Sequence, residues 1–373
     1  MFEILFDPYN YLFWVVVISV IAGAVLIISR PFSTYIKFVY PNAKFEAMGN
    51  PFVSENELSR LLDSKSLSGF KELLNTSKDY NINGENTYDV QQSLDDTFIQ
   101  TVEMMQKDSS KKMKDFYEVY LEKIDIHLIK NELRNRLEGK KSDETVLNQA
   151  VLIKTKKLLQ KIMETEKDNL PKILKIYGFD EEMTHVLKEN NVDFLIIDNV
   201  LDIYLINRFK LVNVPYKCEK AKQNFVKNMI DIRNIKNILR AKQLDYEKES
   251  YEKLFLGEGQ EIASWKFKEM VDVGEISQVI SSLEGTSYYG VLKEAIEHYN
   301  KVGSVQILEN ALDGLFLKLV ADISTQNYVS IGPTIRFIVS KEFEIRNLKI
   351  IAKGIGENLP SEMIKDYLTW GTN

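Results

Sequence analysis

The chain is poor in the residues that most active sites and secreted scaffolds are built from. One cysteine, Cys218, stands in 373 residues. It can form no internal disulfide and fits a reducing compartment. Three histidines, His127, His185 and His298, lie far apart in sequence. None has the His-x-x-x-His or Cys-x-x-Cys neighbour that zinc sites use, which argues against a metal site. No Gly-x-x-x-x-Gly-Lys-Ser/Thr loop is present to cradle phosphates, and no Gly-x-Ser-x-Gly elbow to carry a nucleophile. Gly257-Glu-Gly259 and Gly354-Ile-Gly356 are two-glycine fragments suited to turns and helix ends. A net charge of −6 and a pI near 5.5 argue against nucleic acid, whose binders carry a strong basic field. Carboxylates are abundant, yet nothing marks a catalytic pair. The expectation is a chain that is not an enzyme and holds no cofactor, metal or nucleotide.

What the sequence does have begins at its N-terminal end. From Pro8 to Ser29 there is no charge, and Leu12–Ile28 is apolar apart from Ser19. As a helix this stretch reaches about 27 Å, enough for the hydrocarbon core of a bilayer. A signal peptide would lead with positive charge, but Glu3 and Asp7 come first. A core helix of this length is rarely apolar on every face. A single transmembrane anchor is expected, with Leu12, Trp14, Val17, Ile21, Leu26 and Ile28 among its residues. Tyr9, Tyr11 and Trp14 suit an interfacial belt. Arg30, Lys37 and Lys44 follow the span, which places the bulk of the chain on the cytoplasmic side of the cell membrane.

Beyond the anchor the chain repeats itself. Ile124-Asp-Ile-His-Leu-Ile-Lys-Asn-Glu-Leu-Arg134 recurs as Ile230-Asp-Ile-Arg-Asn-Ile-Lys-Asn-Ile-Leu-Arg240, with eight of eleven positions identical, and again as Phe343-Glu-Ile-Arg-Asn-Leu-Lys-Ile-Ile-Ala-Lys353. The spacings, 230 − 124 = 106 and 343 − 230 = 113, each equal one small helical domain. Triplication points to approximate threefold symmetry. At 100° per residue, Ile126, Ile129 and Leu133 form an apolar stripe, as do Ile232, Ile235 and Leu239, and Ile345, Leu348 and Ala352. One flank is basic: His127, Lys130, Arg134; Arg233, Lys236, Arg240; Arg346, Lys349, Lys353. The other carries one acid, Asp125, Asp231 or Glu344. Such helices can dock beside copies of themselves with opposite charges meeting, or the stripes are simply solvated faces, where an exposed pair is worth only about 0–1 kcal/mol. A weaker match, Leu62–Tyr80 against Val271–Tyr289, supports duplication.

The rest is patterned for helix. Ser54-Glu-Asn-Glu57 has the form of a capping box. Pro31 and Pro41 are expected to interrupt the chain, with a loop leading into Ala43–Met48. Asn81–Asn86 and Gly139–Asp143 are turns. Amphipathic patterns fill 88–138, 144–168 and 219–249, and Val192–Leu205 favours helix by its spacing. Gly332-Pro333 opens a last long helix of about 20 residues that Gly354 closes. The fold expected is all-α: three similar helical bundles in a pseudo-threefold funnel, preceded by one transmembrane helix. The units are 1–30 (anchor), 31–140, 141–248 and 249–373.

Phe38-Val-Tyr-Pro-Asn-Ala-Lys-Phe-Glu-Ala-Met48, Arg233-Asn-Ile-Lys-Asn-Ile-Leu-Arg-Ala-Lys242 and Gly332-Pro-Thr-Ile-Arg-Phe-Ile-Val-Ser-Lys-Glu-Phe-Glu-Ile-Arg-Asn-Leu-Lys-Ile-Ile-Ala-Lys-Gly354 resemble the C subunit of archaeal A-type ATP synthases. Its eukaryotic counterpart is the d subunit of vacuolar ATPases. The resemblance runs from about Tyr40 to Trp370. It implies a noncatalytic connector whose wide face sits on the membrane rotor ring and whose funnel receives the central stalk, made of D- and F-type subunits. By that resemblance the partner-binding candidates are Arg233, Asn234, Lys236, Arg240, Arg346, Asn347, Lys349 and Lys353. The first copy departs, with His127 and Leu128 in place of Arg-Asn. The anchor also departs, because the family's funnel can be soluble. A membrane-tethered helical-repeat scaffold for another complex is the alternative.

Overall fold

A computed structural model describes residues 8–48, 55–77, 79–142, 144–179, 187 and 193–370. All regular structure in them is helical, and apart from one-turn segments there are fifteen helices. They are α1 (Tyr11–Ala47), α2 (Glu55–Leu62), α3 (Leu67–Leu74), α4 (Thr87–Asp108), α5 (Lys114–Leu137), α6 (Ile153–Glu164), α7 (Leu170–Ile176), α8 (Phe194–Leu211), α9 (Glu219–Gln243), α10 (Ser264–Asp272), α11 (Ile276–Ser282), α12 (Ser287–Val302), α13 (Gln306–Gln326), α14 (Gly332–Gly356) and α15 (Ser361–Asp366). The capping serine Ser54 and His185 lie outside the described residues.

The three repeats fall on α5, α9 and α14. Each is paired with the long helix before it, so α4 packs on α5, α8 on α9 and α13 on α14. Contacts then continue in order: α5 lies against α8, α9 against α13, and α14 against α4. Short helices follow the same rule. α6 packs on α5, α10 and α11 pack on α9, and α2 and α3 pack on α14. The last repeat therefore takes its short pair from the front of the chain. This explains the weak match between Leu62–Tyr80 and Val271–Tyr289, since α2–α3 and α10–α11 occupy equivalent stations.

The apolar stripes dictate this packing. Ile129, Leu133, Ile232, Ile235, Leu239, Ile345, Leu348 and Ala352 are all buried. A large aliphatic side chain removed from water contributes about 1.5–3 kcal/mol, far more than any exposed ion pair. Val192–Leu205 is helical from Phe194 onward, and the last long helix runs two residues past Gly354.

α1 corrects one expectation. Neither Pro31 nor Pro41 ends it, and the helix runs unbroken for 37 residues. Each proline removes one donor from the helical ladder. Flanking turns supply the rest, and Pro41 is itself buried on the body. Up to Ile28 the helix is exposed on nearly all sides, and it is the one described helix long and apolar enough to cross a membrane. Its second half lies on the body through Thr34, Phe38, Pro41, Asn42 and Phe45. Asn42 Nδ2 donates to the carbonyls of Tyr328 (3.1 Å) and Ser330 (2.9 Å). Thr34 donates to the Tyr216 carbonyl, Lys44 pairs with Asp108 at 2.5 Å, and Phe45 stacks on Phe337. The helix thus grips all three long-helix hairpin ends: α4–α5, α8–α9 and α13–α14.

Candidate partner-binding site at the repeated helices

The acids of the repeat do not face its bases. Asp125 accepts from the N–H groups of Val151 and Leu152 at 2.9 and 3.0 Å. Asp231 accepts from Gln260, Glu261 and Ile262 and from the Tyr288 hydroxyl, at 2.7–3.0 Å. Burial raises both carboxyls above the usual range against the pull of these donors. A Cβ on residue 259 would sit 1.7 Å from the Asp231 carboxylate, so glycine is what lets this loop close over the acid. Glu344 accepts from Lys341 at 2.6 Å and from Tyr80, on the segment after α3.

The asparagines act alike. Asn234 accepts from Leu256 N–H (2.9 Å) and donates to the Gly257 carbonyl (3.0 Å). Asn347 accepts from Thr369 N–H (2.9 Å) and donates to the Thr369 carbonyl (2.7 Å). Each clasps the chain 22 residues further on, and both are buried. Leu128 replaces this clasp in the first copy.

The basic stripes are answered from the helices that precede each repeat. Asp95 on α4, Asp202 on α8 and Asp313 on α13 hold equivalent places, spaced by 107 and 111 residues. One turn earlier stand Gln91, Asp198 and Glu309. Asp313 is the completed case: Lys236 reaches it across the α9–α13 junction and Arg346 from its own α14, each at 2.6 Å. The two cations hold the Asp313 carboxyl below the usual range although burial opposes them. Arg240 forks onto Glu309 at 2.5 and 2.8 Å, a bidentate geometry that Lys cannot make. At Asp202, among the described residues, only Arg233 arrives, and Lys130 pairs with Asp198, where Arg134 stands 3.6 Å away. At Asp95 Lys349 arrives at 2.6 Å, and His127 stands where an arginine would. Lys353 lines a groove beside α14 and α15 with Ile350, Leu359 and Tyr367.

A cavity of about 350 Å³ lies between the repeats. All three contribute at equivalent positions, His127, Arg233 and Arg346 in one layer and Lys123, Met229 and Glu342 in another. Lys123 spans to Glu342 at 2.6 Å. Of the predicted site residues, Arg233, Lys236, Arg240 and Arg346 meet here. Lys349 lies in a separate groove between α4 and α5 with Asp95 and His127. Asn234 and Asn347 point into the fold. The acids at 95, 198, 202, 309 and 313 were not among the candidates. Their i, i+4 pairs at the repeat spacing are the signal that marks them.

A closed order of repeated hairpins, with charged side chains consumed in joining them, defines a structural adaptor and not an active site. Among the described residues no group of three or more His, Cys, Asp or Glu is placed to hold a metal ion. Residues 41–367 match the family described as ATP synthase (C/AC39) subunit, and the chain belongs to that family. It is similar to the C subunit of the A-type ATP synthase of Methanocaldococcus jannaschii, 30% identical over 385 residues, covering 97% of this chain and 94% of the relative. It is 29% identical to that of Methanobrevibacter smithii, covering 96% and 95%, and 27% identical to that of Methanosphaera stadtmanae, covering 95% and 94%. The family match starts after the apolar part of α1. The 97% coverage leaves only about 11 residues of this chain outside that alignment, so most of the apolar helix lies within it.

Proposed function

We propose that the chain is the noncatalytic connector of an A-type, ion-translocating rotary ATP synthase, coupling the membrane ring to the central stalk during ATP synthesis. Membership of the family over residues 41–367 is the observation that carries this. The three repeats are best read as bundles around a pseudo-threefold axis, with units near 31–140, 141–248 and 249–373. The cyclic contact order α5–α8, α9–α13, α14–α4 supports that reading. The central cavity is then the throat of the funnel. Its basic residues, chiefly Arg233, Lys236, Arg240 and Arg346, face the stalk, with Lys349 and Lys353 on the outer grooves. Asn234 and Asn347 contribute by fixing the loops that shape the throat.

α1 anchors this body to the lipid bilayer. A helix that turns with the ring outside it would collide with the stationary ion-channel subunit at each revolution. The helix therefore enters the ring's central opening. Purifying the native membrane complex tests the connector reading. Ring and stalk subunits are expected as companions, and their absence would leave the membrane-tethered scaffold. Single cysteines along Val15–Val25 should cross-link to lumen-facing ring positions. Cross-links to the stationary subunit would rule out the lumen placement.

A further inference from the structure

α1 leaves the body beside the turn between α8 and α9, and the cations gathered there have no acid to meet. Thr34 Oγ1 donates to the Tyr216 carbonyl at 3.1 Å. The Arg30 guanidinium stands 6.0 Å from the centre of the Tyr216 ring, and the Lys217 ammonium 5.8 Å from the same centre. Lys37 lies near the turn as well: burial pushes the Cys218 thiol up to about 11, and the Lys37 charge pulls it the other way. Among the described residues, none of Arg30, Lys37 and Lys217 pairs with a carboxylate, and Glu219, the acid at this turn, is taken by Lys222 at 3.0 Å. Arg30, Tyr216 and Lys217 are exposed. Lys217 has a φ of 65°, in the left-handed region where glycine is the default. A lysine held there sets an ammonium group at the tip of the turn.

The depth of this cluster follows from the helix. The apolar run ends at Ile28, so Arg30 and Thr34 lie about 3 and 9 Å further along α1. The polar layer of a bilayer is about 5–7 Å thick on each side of its hydrocarbon core. The Tyr216 residue, which both reach, therefore stands at headgroup level when Leu12–Ile28 spans that core. The other two hairpin ends meet α1 later, at Asn42 and Lys44. Phe32, Tyr35 and Tyr216 are exposed around this level, where aromatic rings favour the membrane interface. Bases that directly follow a membrane helix on its cytoplasmic side attract anionic lipid. We propose that Arg30, Lys37 and Lys217 hold the phosphate of one anionic phospholipid, which makes the α8–α9 turn a second membrane contact beside α1. The occupant is a lipid and not a free anion, because the cations adjoin an exposed apolar helix that acyl chains can cover. This inference rests on α1 crossing the bilayer, as proposed above.

The full-length chain in neutral detergent is titrated with phosphatidylglycerol or with phosphatidylcholine, and bound lipid is counted by native mass spectrometry. One phosphatidylglycerol per chain is expected to bind more tightly than phosphatidylcholine by about fivefold or more, the factor for one surface cation worth about 1 kcal/mol. Arg30→Gln, Lys37→Gln and Lys217→Gln together should bring the two lipids level. Lys268→Gln with Lys301→Gln, at exposed bases on α10 and α12, should leave the preference intact. Inorganic phosphate should displace the lipid no better than chloride at matched ionic strength. Equal binding of the two lipids by wild type, a preference that survives the triple substitution, or displacement by phosphate overturns the site. Alkaline extraction from vesicles separates this result from the anchor. A chain that stays embedded and shows no preference loses the site alone, and one that is released loses anchor and site together.

Discussion

The α9–α13 and α5–α8 junctions are built from the same parts and finished differently. In the first, Asp313 is 6% exposed and holds two cations, while Arg240 forks onto a Glu309 that is 5% exposed. In the second, Asp198 is 21% exposed, takes both bases itself, and leaves Asp202 to Arg233 alone. The α14–α4 junction is looser still, with Lys349 and Asp95 31% and 30% exposed. Burial turns identical chemistry into different energies. A shielded ion pair that loses one member leaves an uncompensated charge, whereas a solvated one loses little. The junctions are therefore expected to differ in strength although their sequences are repeats.

The largest contrast should come from the acids. Asp313→Asn strands Lys236 and Arg346 together and should cost about 3–5 kcal/mol. Asp198→Asn should cost about 1 kcal/mol or less. Chemical denaturation of the two variants measures the gap, and equal losses would show the junctions to be equivalent. Acid sharpens the same contrast. The Asp313 carboxyl is lowered in the fold, so its stabilisation is complete above the unfolded value of about 4 and is lost as pH falls through the lower folded value. Wild type should lose stability faster than Asp313→Asn as pH is taken below about 4. Parallel pH profiles would remove Asp313 from the account.

The clasps come next. Asn234→Ala leaves Leu256 N–H and the Gly257 carbonyl unmet, and Asn347→Ala does the same to Thr369. Each should cost about 1–3 kcal/mol, read as a lower denaturation midpoint. Hydrogen exchange at 256 and 369 should rise in the matching variant only. The tyrosines are expected to matter less than the clasps. Tyr80→Phe removes a donor from Glu344 and should cost about 1–1.5 kcal/mol. Tyr288→Phe removes one of the four donors that Asp231 accepts from and should cost a similar amount. A Tyr80→Phe variant that melts with wild type would mean that the Tyr80–Glu344 bond does not help to hold α14.

The repeated helix was legible because its apolar stripe, its bases and its single acid recur together. The destinations of those charges were not. Asp125 and Asp231 carry the sign needed to meet a base, yet each instead holds backbone N–H groups some 26 to 31 residues later. No periodicity within one helix reports a loop that folds back on it. The answering acids sit on helices with little mutual likeness and show themselves only when Gln91/Asp95, Asp198/Asp202 and Glu309/Asp313 are set side by side. Pro31 and Pro41 were misjudged because a proline's local cost was weighed without the tertiary surface that Thr34, Phe38 and Phe45 supply. The apolar helix itself was plain, since a run without charge needs no partner to be recognised.

The way α2–α4 close onto α14 also fixes an order of events during synthesis. α14 begins 285 residues after α1 ends (332 − 47), so at ordinary translation rates it emerges on the order of tens of seconds later. Throughout that interval α2, α3, Tyr80 and Asp95 wait without their partner. α1 meanwhile lacks the Phe337, Tyr328 and Ser330 surface that will seat its second half. Closure comes last and at once, when the final repeat arrives and joins the oldest part of the chain to the newest. A nascent chain stalled before residue 332 would then be an open arc, with the faces that α14 covers still bare.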